Sequence, residues 1–307
     1  MKPDTRFELF EKVLLFYFAI LTLLIIFFEP AFGPHYFYIL ANIGFAAIVI
    51  TVNFISHQIK GRWGRMLRFF MPLFLFAFMY REAGQLIHLI HQGWFDDTFS
   101  FIDQAIFKVN IGLWVEQFDI PVINELMRIG YGSYYFIIIS AAIIHFFRST
   151  FEESVKMMTT VTLVFCVSYL LFIIFPTQGP RFYHAHLFRT GMEGLLFSHA
   201  QQFIMKMGSY RGGAFPSSHI AATLVVWFSL FKDHKRAFSI LTPLIILLIL
   251  GTLWGRYHYA IDGIAGMVLG LVVWYGYPLI SRKTVRTEIQ SQHALALVTI
   301  EKDVKIK

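Results

Sequence analysis

The sequence has few of the residues that form a water-exposed surface. Charged residues occupy 15% of its 307 positions, whereas soluble domains have roughly 25%. Apolar residues make up 57% of the chain. This balance excludes a compact soluble fold, a disordered chain and a collagen-like chain. The single cysteine, Cys166, permits no intrachain disulfide, so a disulfide scaffold is excluded as well.

Long apolar runs are the main feature that the sequence does have. A helix that crosses a bilayer needs about 20 mostly apolar residues. Eight segments meet this description: 9–28, 36–55, 69–91, 129–147, 157–175, 215–231, 237–255 and 259–280. They predict an all-α polytopic membrane bundle, with one integral membrane domain over 1–281. The polar tail, 282–307, is predicted to be cytoplasmic and poorly ordered.

The positive charge, a net +7, is distributed unevenly between the segments that connect the spans. With eight spans both termini lie on one side of the membrane. Eighteen of the 26 lysines and arginines then fall on the side of the termini, and seven fall on the other. Because lysine and arginine favour the cytoplasmic side, the termini are predicted to be cytoplasmic. The charge is therefore read as a topology signal, and no nucleic-acid partner is expected.

Two long segments fall on the outer side in this topology. Residues 93–128 carry apolar positions at helical spacing opposite polar ones, which fits either an interfacial helix or a helix packed above the bundle. Residues 176–214 form a loop rich in Pro, Gly, His and Arg, where function is often located. Within this loop, 195–207 could form a re-entrant or lid helix.

Three short motifs fall at the predicted outer ends of the later spans. They are Gly179-Pro180-Arg181, the run Phe215–His219 (FPSSH) and the run Arg256–Asp262 (RYHYAID). In the third motif His258 and Asp262 are four residues apart and share a helix face. A carboxylate there can fix the tautomer of an imidazole that attacks, although a capped, interfacial His–Asp pair has the same spacing.

The second motif has the residue types of a helix start. Pro216 suits a first turn, and Ser217 and Ser218 suit a cap. A helix start presents unpaired backbone N–H groups that bind phosphate, and His219 would lie in that first turn. Arg181 adds a bidentate donor. Each feature alone has an ordinary structural explanation, but together they suit attack on phosphorus, with one imidazole attacking and the other protonating the leaving oxygen.

Together these motifs resemble the type-2 phosphatidic acid phosphatase superfamily, over roughly residues 70–280. Within it, the chain looks most like the branch of inositol phosphorylceramide synthases. The runs that carry this likeness are Phe101–Phe107 (FIDQAIF), Tyr131–Tyr135 (YGSYY), Gly179–Arg181, FPSSH and HYAID. The resemblance implies a catalytic core of six helices and a phosphohistidine mechanism that needs no metal or other cofactor.

The resemblance also implies roles for matching positions. His258 matches the nucleophile, Asp262 its orienting carboxylate and His219 the general acid. Among the phosphate-contacting positions, Arg181 matches the arginine of the first motif. Ser217 matches a serine, and Ser218 stands where the family usually has glycine.

Two cations of the phosphatase pattern are missing. Ile174 stands where that pattern has a lysine, and Thr252 where it has an arginine. Arg256 and Arg211 are the candidate replacements, chosen because they lie near the motifs in sequence. These departures favour a transferase over a generic phosphatase.

The sequence therefore predicts a lipid phosphotransferase or phosphatase that acts on a phospholipid or lipid phosphate, with a preference for head-group transfer. The alternatives are hydrolysis to free phosphate and, in another class, a lipid transporter that is no enzyme. A transporter would have charges spread through its spans, whereas here only Arg81 and Glu82 interrupt one. A metal site at His184, His186 and His199 is not expected, because no zinc spacing is present. No protein partner is predicted.

Overall fold

The computed structural model describes residues 7–29, 33–59, 61–208 and 210–281 of the chain. Within these ranges the protein is all-α. The extended backbone there is limited to one isolated bridge between Thr177 and Gly213. The predicted tail, 282–307, lies outside the described residues.

Eleven longer helices make up most of the described chain. The first six are α1 (Leu9–Phe28), α2 (Phe37–Gln58), α3 (Arg62–Gln85), α4 (Asp96–Phe107), α5 (Pro121–Gly132) and α6 (Tyr134–Arg148). The others are α7 (Phe151–Ile174), α8 (Leu196–Gly208), α9 (Ser218–Asp233), α10 (Lys235–Trp254) and α11 (Ala260–Ser281). Short helical turns join some of them, including Ile111–Trp114, Val115–Phe118 and Pro180–Tyr183.

All eight predicted spans are helical, which confirms the all-α polytopic bundle. Within the described ranges, five helices are long and apolar enough to cross a membrane, namely α1, α2 with its preceding turn, α7, α10 and α11. A sixth span is formed if α5 and α6 count as one, since they meet at an angle of 41°. Arginine and glutamate reduce the hydropathy of α3, and α9 is only 16 residues long.

Helix α7 lies at the centre of the bundle. It packs against α1, α3, α6 and α9, and most of its side chains are buried. Helices α2 and α11 lie at the periphery, where side chains such as Phe37, Leu40 and Val272 are exposed. An apolar surface of this kind suits contact with lipid, since the bilayer core offers no hydrogen bonds. The bundle therefore has a packed interior and an apolar outer surface.

Helix α4 packs on the bundle with its polar side inward. Ser100 and Asp103 are buried, whereas Phe101 and Ile106 are exposed. One aromatic residue, Phe99, also points inward and stacks on Phe215 with ring centroids 4.3 Å apart. Of the two interpretations left open for residues 93–128, this arrangement is the packed helix. Ser100 and Asp103 of the polar stripe face the protein, whereas Gln104 and Lys108 are exposed.

Candidate active site

Helix α9 begins at the second motif, as the residue types predicted. The Ser217 side chain caps the helix by accepting a hydrogen bond from the Ile220 backbone N–H at 3.4 Å. The Ser217 backbone N–H donates to the Asp262 carbonyl at 2.9 Å, which ties the start of α9 to the start of α11. Ser218 is the first helical residue and is buried. The first turn of α9 therefore faces the third motif.

His219 stands in an aromatic enclosure provided by the junction of α5 and α6. Its ring lies 5.0 Å from the Tyr131 ring and 4.3 Å from the Tyr134 ring, measured between centroids. The Nδ1 atom of His219 is buried, and no hydrogen-bond partner for it occurs among the described residues. Two tyrosines of the YGSYY run thus fix the plane of this imidazole, while its ring nitrogens remain available for a ligand.

His258 and His219 come together as the motifs predicted. Their ring centroids are 6.0 Å apart, at an angle of 63°. The Nδ1 atom of His258 lies 2.8 Å from the Ala214 carbonyl and 3.5 Å from Asp262 Oδ2. Since a carbonyl only accepts, Nδ1 carries the proton, and Nε2 has the lone pair that a nucleophile needs.

Asp262 is buried beside His258, but its shorter hydrogen bond goes elsewhere. Its Oδ2 atom accepts from the Tyr259 backbone N–H at 2.8 Å. The Ala214 carbonyl is thus the nearer orienting group for His258. This contact could not be predicted from the motifs, because any residue type can supply a backbone oxygen. Both groups stabilise the same tautomer of the imidazole.

Arg181 follows a sharp turn that brings the first motif against the third. Gly179 has a φ of +86°, and a Cβ there would lie 2.5 Å from the Tyr257 carbonyl oxygen, so only glycine fits. The Arg181 backbone N–H donates to the Arg256 carbonyl at 2.8 Å. Its guanidinium lies over the rings of Phe182 and Tyr257, 4.4 and 5.2 Å from their centroids. Burial raises the pKa of Tyr257, and the nearby arginines partly oppose this shift.

The guanidinium of Arg256 is held by protein acceptors, although the residue is only two positions from His258. It has a φ of +58°. Its guanidinium donates to the carbonyls of Gly112 at 3.1 Å and Thr190 at 3.0 Å, and to Glu116 Oε1 at 2.8 Å. Burial lowers its pKa, and Glu116 opposes the shift. These bonds occupy Nε and both terminal nitrogens with protein acceptors, so they tie loops together.

Arg211, the other candidate replacement, lies against the ring of Phe182. Its guanidinium is 4.9 Å from the centroid of that ring, and the residue is exposed. The Phe182 ring is thus in cation–π contact with both Arg181 and Arg211. The structure brings Arg181, Ser217, Ser218, His219, His258 and Asp262 to one end of the bundle. It leaves Arg211 at the margin of this group.

Two aspartates of α4 hold the motifs in place, and neither was predicted as a site residue. Asp96 accepts from the backbone N–H groups of Gln178 and Gly179, both at 2.9 Å, and from the Tyr259 hydroxyl at 3.1 Å. Asp103 accepts from the N–H groups of Ala260 at 2.7 Å and Ile261 at 2.8 Å, at the start of α11.

Burial raises the pKa of both aspartates, and the hydrogen bonds that they accept oppose this shift. Their positions on the buried polar stripe of α4 were the available signal.

The histidines of the outer loop do not gather around a metal. Among the described residues there is no group of three or more His, Cys, Asp or Glu side chains that could hold one. His184 is buried against Ser100, with Nε2 3.0 Å from the serine Oγ, and burial lowers its pKa. His186 and His199 are exposed. Arg81 is exposed in α3, and Glu82 is buried near Asn42.

Comparison with known families agrees with the geometry. The sequence profile of the PAP2 superfamily matches residues 103–276, more than half of the chain. The chain belongs to the PAP2 superfamily. A PA-phosphatase related-family protein of Dictyostelium discoideum is 30% identical over 99 residues, which cover 31% of this chain and 18% of that relative.

The chain thus aligns with less than a fifth of the length of that relative. No solved structure matches the chain. Membership of the PAP2 superfamily supports a lipid phosphatase or phosphotransferase type of function for this membrane protein.

Proposed function

We propose that this protein is a membrane-embedded enzyme that cleaves a phosphoester of a lipid through a phosphohistidine on His258, with head-group transfer as the preferred outcome. The observation that carries the proposal is the pairing of two imidazoles, 6.0 Å apart, at the start of α9 and the start of α11. One of them has its Nδ1–H held by a carbonyl, so its Nε2 atom is free to attack.

In the first step, Nε2 of His258 attacks phosphorus and forms a P–N bond as the P–O bond to the leaving group breaks. His219 gives a proton to the departing oxygen. In the second step, His219 takes the proton from the hydroxyl of the acceptor, whose oxygen attacks the phosphohistidine. The P–N bond breaks and His258 is restored. Water as acceptor yields free phosphate if the donor is a lipid phosphate monoester, and a phosphomonoester if the donor is a phosphodiester. A lipid or polyol hydroxyl as acceptor of a phosphodiester's phosphoryl head group yields a transferred head group.

The negative charge on the phosphoryl oxygens in the transition state needs hydrogen-bond donors that are already in place. Arg181 supplies a guanidinium, and the first turn of α9 supplies backbone N–H groups at Ser218 and His219. Ser217, which caps this turn, is a positioning residue whose backbone also joins α9 to α11. Arg256 is better explained as a structural arginine, because its guanidinium already serves protein acceptors.

The preference for transfer, and for the branch like inositol phosphorylceramide synthases, comes from the two missing cations. Ile174 is the last residue of α7. Thr252 is buried, and its carbonyl accepts from the backbone N–H groups of Tyr257 at 3.1 Å and His258 at 3.3 Å. A site with fewer cations on the reacting phosphate suits a phosphodiester, which has one negative charge fewer than a monoester.

The proposal is tested by incubating the purified protein in detergent with phospholipids labelled in the phosphate and in the presence of candidate acceptor lipids. Label in free phosphate or in a water-soluble phosphomonoester indicates hydrolysis, and label in a second lipid indicates transfer. We expect His258→Ala to abolish turnover and the acid-labile phosphoprotein. His219→Ala should slow formation of the phosphoprotein. The control is His186→Ala, which changes an exposed histidine of the outer loop and should behave as wild type.

Turnover that survives His258→Ala would disprove the assigned nucleophile. The transporter alternative makes a different prediction. In that case neither wild type nor His258→Ala releases or transfers label, and both move labelled lipid between leaflets of proteoliposomes equally well.

A further inference from the structure

A cavity of about 630 Å³ opens beside the two histidines and is lined by neither of them. Its walls come from the outer loop, the end of α5 and the junction of α10 with α11. Four arginines contribute to the lining: Arg128, Arg181, Arg211 and Arg256. Cavities of 300–1,000 Å³ are the size that small ligands occupy. Because the charged side chains of its walls are arginines, the cavity suits an anionic ligand.

The positive charge of this cavity is poorly balanced by protein groups. No aspartate or glutamate occurs among the described residues that line it. Arg256 is paired with Glu116, but no carboxylate lies within 4 Å of Arg128 or Arg211 in the described part of the chain. Arg128 donates to the carbonyls of Met192 at 3.0 Å and Gly191 at 3.3 Å. These bonds aim the guanidinium without neutralising it.

The cavity adjoins the reacting centre through shared side chains. Tyr257 lines the cavity, and its ring stacks on Tyr131 at 4.1 Å, which in turn stacks on His219 at 5.0 Å. Arg181 lies over both Tyr257 and Phe182, and Arg211 lies on the Phe182 ring as well. A ligand whose reacting phosphate is held by Arg181 can therefore extend over Tyr257 towards Arg211 and Arg128.

We propose that Arg128 and Arg211 form a second anion subsite, which binds a further phosphate group next to the one that reacts. This inference rests on the proposed function and deepens it, because it assigns a substrate class: a donor or acceptor that carries a second phosphate. The same two arginines could instead bind free inorganic phosphate. The experiments below distinguish a second phosphate on the substrate from free phosphate.

The first measurement is direct binding by titration calorimetry of the detergent-solubilised full chain, with pyrophosphate and with inorganic phosphate. It uses His258→Ala as the background, so that no turnover occurs. We expect pyrophosphate to bind at least tenfold more tightly than inorganic phosphate. Arg211→Gln should remove this difference, since a charge-assisted hydrogen bond is worth about tenfold or more in affinity. Arg189→Gln removes an exposed arginine of the same loop that is outside the cavity lining and should leave the difference unchanged.

The second measurement compares a lipid with one phosphate and the same lipid with two, in the otherwise wild-type enzyme. Arg211→Gln should lower the ratio of their kcat/KM values about tenfold, and Arg189→Gln should not. Arg211 is the preferred position because it is exposed and, within the described residues, its side chain makes no hydrogen bond that holds the loop, unlike Arg128.

If Arg211→Gln lowers kcat/KM equally for both lipids, the proposed subsite is wrong, because Arg211 would then act on the reacting phosphate alone. Equal binding of phosphate and pyrophosphate to the His258→Ala protein, unaffected by Arg211→Gln, would overturn it too. If Arg211→Gln weakens the binding of phosphate and of pyrophosphate by the same factor, the subsite holds free phosphate. The claim about the substrate class then fails. If neither lipid reacts in wild type, the proposed function fails, and the calorimetry still decides the subsite.

Discussion

The nucleophile assigned to this protein is held mainly by a backbone oxygen. His258 Nδ1 is 2.8 Å from the Ala214 carbonyl and 3.5 Å from Asp262 Oδ2. Where a carboxylate is the main partner of a catalytic histidine, its replacement by asparagine costs about 10⁴-fold, because the amide can favour the wrong tautomer. Here the carbonyl keeps the proton on Nδ1 whatever residue 262 is.

We therefore expect Asp262→Asn to lower kcat by about 10- to 100-fold, well short of the loss caused by His258→Ala. The asparagine oxygen can still accept from the Tyr259 N–H, so the start of α11 should stay intact. Single-turnover formation of the phosphoprotein measures the effect on attack. A loss as large as that of His258→Ala would mean that the carboxylate, and not the Ala214 carbonyl, sets the tautomer.

Asp103 is expected to act on the reaction through the backbone that follows His258. Its carboxylate accepts from the N–H groups of Ala260 and Ile261. Asp103→Asn leaves one oxygen for two donors, so we expect the start of α11 to shift and kcat to fall about tenfold with little change in KM. The matched control is Thr98→Ala, on the exposed side of the same helix.

A purely structural role for Asp103 would lower the melting temperature and leave the kcat of the folded fraction unchanged. Normalising activity to folded protein therefore separates the two roles. A wild-type kcat in folded Asp103→Asn would contradict the positioning role.

Residue types and spacing were enough to predict that the three motifs come together. His219 lies beside His258, and Arg181 lies over Tyr257 of the third motif, because each motif carries its own local structure. Contacts between distant parts of the chain could not be predicted. Asp103 bonds to a segment 157 residues away. Arg256 was predicted as a phosphate ligand because it lies near the motifs in sequence. Its sequence neighbours reveal neither its backbone φ of +58° nor its hydrogen-bond acceptors, which lie more than 60 residues away.

At the scale of helices, the enclosure of His219 depends on how closely α5 approaches α10. A Cβ at Gly130 would lie 2.5 Å from the Leu247 backbone, and one at Gly251 would lie 2.4 Å from the Met127 carbonyl oxygen. Small residues let membrane helices pack this closely. Tyr131, which stacks on His219, follows directly after Gly130.

We expect Gly130→Ala or Gly251→Ala to separate α5 from α10 and to loosen the stacking of Tyr131 on His219. Overpacking of this kind costs about 1–3 kcal/mol. Thermal unfolding in detergent should show the destabilisation, and kcat should fall along with it. Gly44→Ala is the control, since a Cβ at that position meets no atom within 4 Å. Equal stability of all three variants would contradict the close approach.

Hydropathy predicted that each span is a helix but not where the helices bend or begin. The segment predicted as one span at 129–147 is divided by a break near Ser133 into α5 and α6, which meet at 41°. Tyr131 and Tyr134, on either side of this break in sequence, both contact the ring of His219. Helix α3 begins at Arg62, earlier than predicted, because Arg68 is buried in an ion pair with Glu11 of α1. The mean hydropathy of a segment reveals neither a bend in a helix nor a charged residue that is paired inside the bundle.

At the scale of the whole molecule, the reacting groups lie at one end of the bundle, and the excess of positive charge predicts which compartment that end faces. With cytoplasmic termini, the start of α10 lies inside and the loop with Arg189 lies outside. Both positions are exposed in the structure, and Cys166 is buried. The native cysteine therefore leaves a low background for labelling with thiol reagents.

We expect a membrane-impermeant maleimide to label Arg189→Cys in intact cells, and to label Arg236→Cys only after the membrane is permeabilised. Each arginine lies at an exposed position, so neither substitution should disturb packing. The opposite labelling pattern would reverse the topology and put the histidine pair on the cytoplasmic side. Because the outer loop carries Arg181 as well as Arg189, the compartment that labels Arg189→Cys is also the one that the proposed reaction site faces.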